Sequence, residues 1–142
     1  MNPSPRLVVI GSSGHAQSVL EAADSAGFVV DGAISTENSD GDTGFASLIS
    51  ALHDIDLVTT ALALGHGVNH VRFRAFEEVL YVFPQAQFPP IVHSSAWVSP
   101  TASLGRGAVV LAQASVGSGS TLGVGALINT GASLDHDSTL GD

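Results

Sequence analysis

The chain has 142 residues, room for one to one and a half domains, and with 44% apolar and 12% charged residues it can bury a core. Four basic residues, all arginine, stand against 13 acidic ones for a formal charge of −9, too few cations to build a nucleic-acid or anionic-membrane surface. There is no cysteine, which excludes disulfides, thiolate nucleophiles and cysteine zinc sites together.

The polar start Met1 to Pro5 and the short apolar run Leu7-Val8-Val9-Ile10 do not make a signal peptide. No later stretch nears the roughly 20 apolar residues that span a bilayer, so a cytoplasmic protein without a membrane partner is expected. Leu7–Ile10 is the continuous run of a strand buried on both faces. It leads into Gly11-Ser12-Ser13-Gly14-His15. Ala16, Val19, Leu20 and Ala23 then recur at helical spacing, with Gly27 as the stop.

Phe28-Val29-Val30 and Ala33-Ile34 form a second strand region, which a turn at Asp31-Gly32 is expected to interrupt. The acidic loop Asn38 to Gly44 places oxygen ligands at alternate positions. It lacks the glycine and closing glutamate of a calcium loop, and reads as solvated. A short helix, Phe45 to Leu52, and a third strand, Leu57 to Leu64, follow; the strand closes in Gly65-His66-Gly67.

The next helix carries Val68, Val71, Ala75, Phe76, Val79 and Leu80 on one side, and its Arg72 and Arg74 read as a solvated face, with phosphate contact the less favoured alternative. His53, His70 and His93 read as surface or packing residues. Buried strands alternating with helices imply a parallel sheet whose ligands sit at the strands' C-terminal ends.

From Val98 the period changes. An aliphatic residue recurs every six positions, at Val98, Leu104, Val110, Val116, Leu122, Ile128, Leu134 and Leu140. Four residues after each of the first seven stands a small one: Ala102, Ala108, Ala114, Ser120, Ala126, Ala132 and Ser138. Neither helix nor ordinary strand produces that period. A parallel β-helix of hexapeptides does, with the aliphatic residue inside a narrow prism and the small one at a crowded corner.

The grid gives His136 the third, outward place in its hexad, between Asp135 and Asp137. Either carboxylate can hold an imidazole nitrogen, fix its tautomer and raise its basicity, which suits a general base on a rigid coil. The loop Gly11 to His15 lies where backbone N–H groups and a helix N-terminus can hold phosphate. It has G-x-x-G where the dinucleotide fingerprint has G-x-G-x-x-G, so a nicotinamide oxidoreductase is disfavoured. Asp31 stands where a ribose-binding acid would, but a solvent-facing turn is the preferred reading. No metal site is expected.

A Gly-x-x-Gly-His loop on a small β/α unit, followed at once by hexapeptide repeats, resembles the NeuD/PglD-type sugar O-/N-acetyltransferases. The resemblance runs through Leu7 to Ala16, the Gly65 turn, Ile91-Val92-His93-Ser94-Ser95-Ala96, Ile128-Asn129-Thr130 and Leu134-Asp135-His136-Asp137. It implies a Rossmann-like acceptor domain at residues 1–92 and a left-handed hexapeptide β-helix at residues 93–142, three chains packing into a homotrimer. The implied reaction is acetylation of an amino- or hydroxy-sugar by acetyl-CoA. His136 would be the catalytic base and Asp137 its acid partner, with the sugar acceptor on Gly11, Ser12, Ser13, Gly14, His15 and Gly65.

Where relatives carry an acidic pair after the second strand, this chain has Ser35-Thr36. They also continue beyond the point matching Asp142 into coils that carry most of the acetyl-CoA site, so a C-terminal truncation is expected here. The alternative is a non-catalytic nucleotide-sugar-binding module on a trimerising β-helix stub. A purely structural solenoid leaves the glycine loop unexplained.

Overall fold

A computed structural model describes residues 4–36 and 44–142. The first part runs β1 (Arg6–Ile10), α1 (Gly14–Ser25), β2 (Val29–Ile34), α2 (Phe45–Leu52), β3 (Thr60–Leu64) and α3 (Asn69–Val82). The strands form one parallel sheet in the order β2-β1-β3. The uninterrupted apolar run of β1 follows from its central place, because side chains alternate between two covered faces. Leu7 and Val9 pack against Ala16, Val19, Ala22 and Ala23 of α1. Val8 and Ile10 face the other way, toward Leu48 and Leu52 of α2 and Phe76 and Val79 of α3.

Two expectations for this part are corrected. Asp31-Gly32 is no turn, because β2 continues through it. The register passes from Leu7↔Val30 to Val8↔Gly32, so Asp31 is the extra residue of a bulge, and Gly32 supplies a φ of +123°. Asp31 is then taken by Arg6, whose Nε and Nη2 donate to its carboxylate at 2.9 and 2.6 Å. The third strand begins at Thr60 rather than Leu57. The Asp56 carboxylate accepts from Val58 N at 3.0 Å and Thr59 Oγ1 at 2.9 Å, holding 56–59 in a turn. Of the acidic loop, Asn38 to Thr43 lie outside the described residues.

The second part consists of two-residue strands: β4 (Ile91–Val92), β5 (Trp97–Val98), β6 (Ser103–Leu104), β7 (Val109–Val110), β8 (Ser115–Val116), β9 (Thr121–Leu122), β10 (Leu127–Ile128), β11 (Ser133–Leu134) and β12 (Thr139–Leu140). They form three parallel sheets, β10-β7-β4, β11-β8-β5 and β12-β9-β6. Val92 faces Val110, and Val110 faces Ile128, so each coil is three hexads long. The stacking fits a left-handed parallel β-helix, and its phase begins one repeat before Val98, at Val92.

Inside the prism, Val110, Val116, Leu122 and Ile128 pack with Ala108, Ala114 and Ala126. The two parts share a core, since the outward residues Ile91 and Val109 join the cluster of Leu7, Val9 and Val19. One corner of the prism also meets the sheet, because a Cβ built on Gly107 would lie 3.2 Å from Leu64 Cδ1. Among the described residues no helix is long and apolar enough to cross a membrane.

Candidate active site

The residues singled out in sequence fall into two groups. The first gathers at the C-terminal ends of the sheet strands. Gly11 adopts a φ of +130° and donates to Ile34 O, while Gly65 donates to Ile10 O, both at 2.8 Å. A side chain at Gly65 would meet Val9 Cγ1 at 2.6 Å and Ala16 Cβ at 2.9 Å, so that turn needs glycine for packing. Ser12 and Ser35 share a hydroxyl contact of 3.0 Å, and the buried Thr36 pairs with Nε2 of His66 at 2.7 Å. The hydroxyls of Ser35-Thr36 therefore tie together the turns that follow all three strands.

Ser13 is the extended N-cap of α1 and makes no side-chain cap bond; Gly14 opens the helix into free space. His15 lies in the first turn with its ring against Gly67, where a built Cβ would stand 3.4 Å from the imidazole. Its Nε2 is buried without a hydrogen-bond partner. Burial first, and the nearby Arg72 charge second, push its pKa below the usual 6.5, so the imidazole is held neutral.

Arg72 corrects the solvated-face reading. It is 6% exposed and binds four neutral oxygens. Nε donates to Gly125 O at 2.7 Å, Nη1 to His66 O at 3.0 Å and Gly67 O at 3.4 Å, and Nη2 to Asn69 Oδ1 at 2.9 Å. The signal was in the periodicity. Arg72, Ala75, Phe76 and Val79 share one helical stripe, so Arg72 sits on the buried side.

The second group is His136 and Asp137, at the corner between β11 and β12. This fourth place of the hexad is left-handed, and glycine holds it at Gly107, Gly119, Gly125 and Gly131. Asp137 takes it with φ +55°, unusual for a residue with a side chain. Its backbone N donates to Ser118 O at 2.8 Å. Its Oδ2 lies 3.0 Å from His136 Nδ1, and the His136 backbone N donates to Asp135 Oδ1 at 2.8 Å.

The coil below leaves room for this arrangement, since a Cβ at Gly117 would fall 2.5 Å from His136 N. With Nδ1–H held by the carboxylate, Nε2 carries the lone pair, and the side chain is 73% exposed. The hydrogen bond to Asp137, then the charges of Asp135 and Asp137, raise the imidazole pKa above 6.5. The arrangement is that of an oriented, strengthened base.

The two groups do not meet within one chain. The sheet packs against Ile91 and Val109 and against the corner at Gly107 and Gly125, whereas His136 occupies a different corner of the prism. A groove of about 570 Å³ beside Arg6, Asp31, Asp54 and Thr60 brings none of the sequence-predicted site residues together.

No protein-family model matches the sequence, and no curated protein does either. Solved structures do. The acetyltransferase domain of PglB from Neisseria gonorrhoeae, in complex with acetyl coenzyme A, is 28% identical with a TM-score of 0.77, over 97% of this chain and 68% of that one. PerB from Caulobacter crescentus, in complex with CoA and GDP-perosamine, is 28% identical with a TM-score of 0.75, over 94% of this chain and 64% of that one. In sequence and structure the chain is similar to sugar acetyltransferases of the hexapeptide β-helix kind. A mutant perosamine N-acetyltransferase from Caulobacter crescentus agrees, at 27% identity and TM-score 0.77, over 95% of this chain and 65% of that one. The chain thus spans about two thirds of the length of these structures. Acyltransferase is the enzyme class that this acetyltransferase architecture supports.

Proposed function

We propose that the chain transfers an acetyl group from acetyl-CoA to the amino or hydroxyl group of a sugar, either nucleotide-linked or of the sialic-acid type. The observation that carries this reading is the His136–Asp137 pair, 3.0 Å apart on a coil stack whose solved relatives are sugar acetyltransferases. Nε2 of His136 takes the proton of the acceptor N–H or O–H as that atom attacks the thioester carbonyl. The C–S bond then breaks, and the CoA sulfur leaves with a proton returned from the imidazolium. Asp137 holds the ring and stabilises its charged form.

The N-terminal unit, residues 1–92, acts as a Rossmann-like acceptor domain. Gly11, Ser12, Ser13, Gly14 and His15 hold the acceptor, together with the Gly65 turn. Because His136 lies at a corner away from its own sheet, the complete site is built between copies, in a homotrimer. The likeness to PerB, which is in complex with GDP-perosamine, favours a nucleotide-linked amino sugar among these acceptors.

The test is calorimetry with acetyl-CoA and with GDP-perosamine, followed by transfer measured as thiol release. The chain has no cysteine and so gives no thiol background. Turnover supports the reading. Binding of GDP-perosamine without binding of acetyl-CoA would replace it with the nucleotide-sugar-binding module.

A further inference from the structure

Arg72 is a buried cation whose hydrogen bonds all end on neutral oxygens: three backbone carbonyls and the Asn69 amide. Desolvating a guanidinium without a carboxylate is costly, and an apolar residue would fasten α3 to the coil more cheaply. The fork is nevertheless placed with care. Nε reaches Gly125 at a corner of the β-helix, while Nη1 clasps His66 and Gly67 in the turn after β3. Gly67 in turn backs the ring of His15. One planar group thus connects the coil, the third strand-end turn and the glycine-loop histidine, a geometry that lysine cannot reproduce.

Resting on the acceptor-site reading above, we propose that Arg72 is a positioning residue. Its fork registers the His66–Gly67 turn, and with it His15, on the β-helix, and so sets where the acceptor sugar lies relative to the coil. Its charge acts separately, adding to the burial that disfavours a proton on His15.

The two actions are separable with Arg72→Lys, which keeps the charge and loses the fork, and Arg72→Gln, which loses both. Asn69→Ala removes only the exposed group that orients Nη2. Variants of the 142-residue chain are examined by NMR, following the His15 titration and the amides of Gly67, Val68 and Ala126, whose peptide groups contain the clasped carbonyls. Binding of GDP-perosamine is measured by calorimetry.

Arg72→Lys is expected to move all three amides, leave the His15 titration low, and weaken GDP-perosamine binding about ten-fold, since small misplacements at such sites are expensive. Arg72→Gln raises the His15 pKa as well. Asn69→Ala shifts the amides in the same direction by less. Unmoved amides and a wild-type Kd in both Arg72→Lys and Asn69→Ala would overturn the proposal. If the wild-type chain binds no GDP-perosamine, the acceptor reading fails, while the amide shifts and the His15 titration still decide the role of Arg72. If Arg72→Gln does not fold, the other two variants suffice.

Discussion

Nδ1 of His136 lies 3.0 Å from Oδ2 of Asp137, the very next residue, and the contact exists because the backbone at Asp137 is left-handed. In an extended strand, adjacent side chains point to opposite faces. At the hexad corner the chain turns sharply, and an aspartate stands where four other hexads have glycine. Its carboxylate comes round to the imidazole as a result. Gln113 takes the same left-handed place with φ +59°, so the turn itself is a property of the coil; what sets Asp137 apart is that its carboxylate meets an imidazole.

Replacing His136 by alanine removes the base. Acetyl transfer should fall by about 10²- to 10⁴-fold, the usual worth of general-base catalysis. The ring is exposed, so the melting temperature should stay at the wild-type value. Thiol release and thermal denaturation on the same preparation check both halves, and wild-type turnover would sink the assignment.

The pH profile tests Asp137. A base must be unprotonated to act, and the carboxylates raise its pKa, so the acid limb of the rate should lie above the ordinary 6.5. Asp137→Asn keeps an oxygen for Nδ1–H but deletes the charge. The limb should therefore move to lower pH while the plateau rate drops with the weaker base. A limb that stays in place means that another group titrates. Because the ring is solvated, the shift acts on rate and not on folding.

Gly119→Ala addresses the same pair from the coil below. Gly119 has φ +69°, and a Cβ there would come within 2.5 Å of Asp137 Oδ1. The substitution should cost about 1–3 kcal/mol through backbone strain. It should also push the carboxylate off the imidazole and lower the acid limb as Asp137→Asn does. Denaturant midpoints and the pH–rate profile read the two effects separately.

Gly65 and Gly14 make a matched pair at the strand ends. Alanine at Gly65 would overlap Val9, Ala16 and Ile10 O, and overpacking of this kind costs about 1–3 kcal/mol. Alanine at Gly14 meets nothing within 4 Å in the first turn of α1, and should be neutral or stabilising by about 0.5–1 kcal/mol. Urea titrations of both variants decide it; equal effects would contradict the packing argument.

His15 carries a pH dependence of stability. Its folded pKa is depressed, so the unfolded chain takes the proton first as pH falls below 6.5. Its contribution is thus complete above 6.5 and is lost as pH drops through the lower folded value. Relative to His15→Asn, the wild type should lose more stability between neutral pH and pH 5. Parallel slopes of unfolding free energy against pH would rule this out.

Local periodicity was enough to determine the hexapeptide coil, the buried strand β1, the helix α1 and the outward direction of His136. In each case a residue's direction follows from its place in a repeat of two, 3.6 or six. The boundaries of β2 and β3 were not legible that way. Asp31-Gly32 has turn composition, and only pairing with β1 carries the strand through it as a bulge, while the Asp56 carboxylate delays β3 to Thr60.

Arg72 could be placed on an apolar stripe by counting, yet charge argued for water. The tertiary structure decided otherwise, because the carbonyls of His66, Gly67 and Gly125 converge from distant parts of the chain and replace the water. The same holds for the separation of His136 from the glycine loop. A hexad pattern says which residues face outward but not which corner meets the sheet. That choice was made by the packing of Ile91 and Val109 against Leu7, Val9 and α1, a contact between segments about a hundred residues apart that no local repeat encodes.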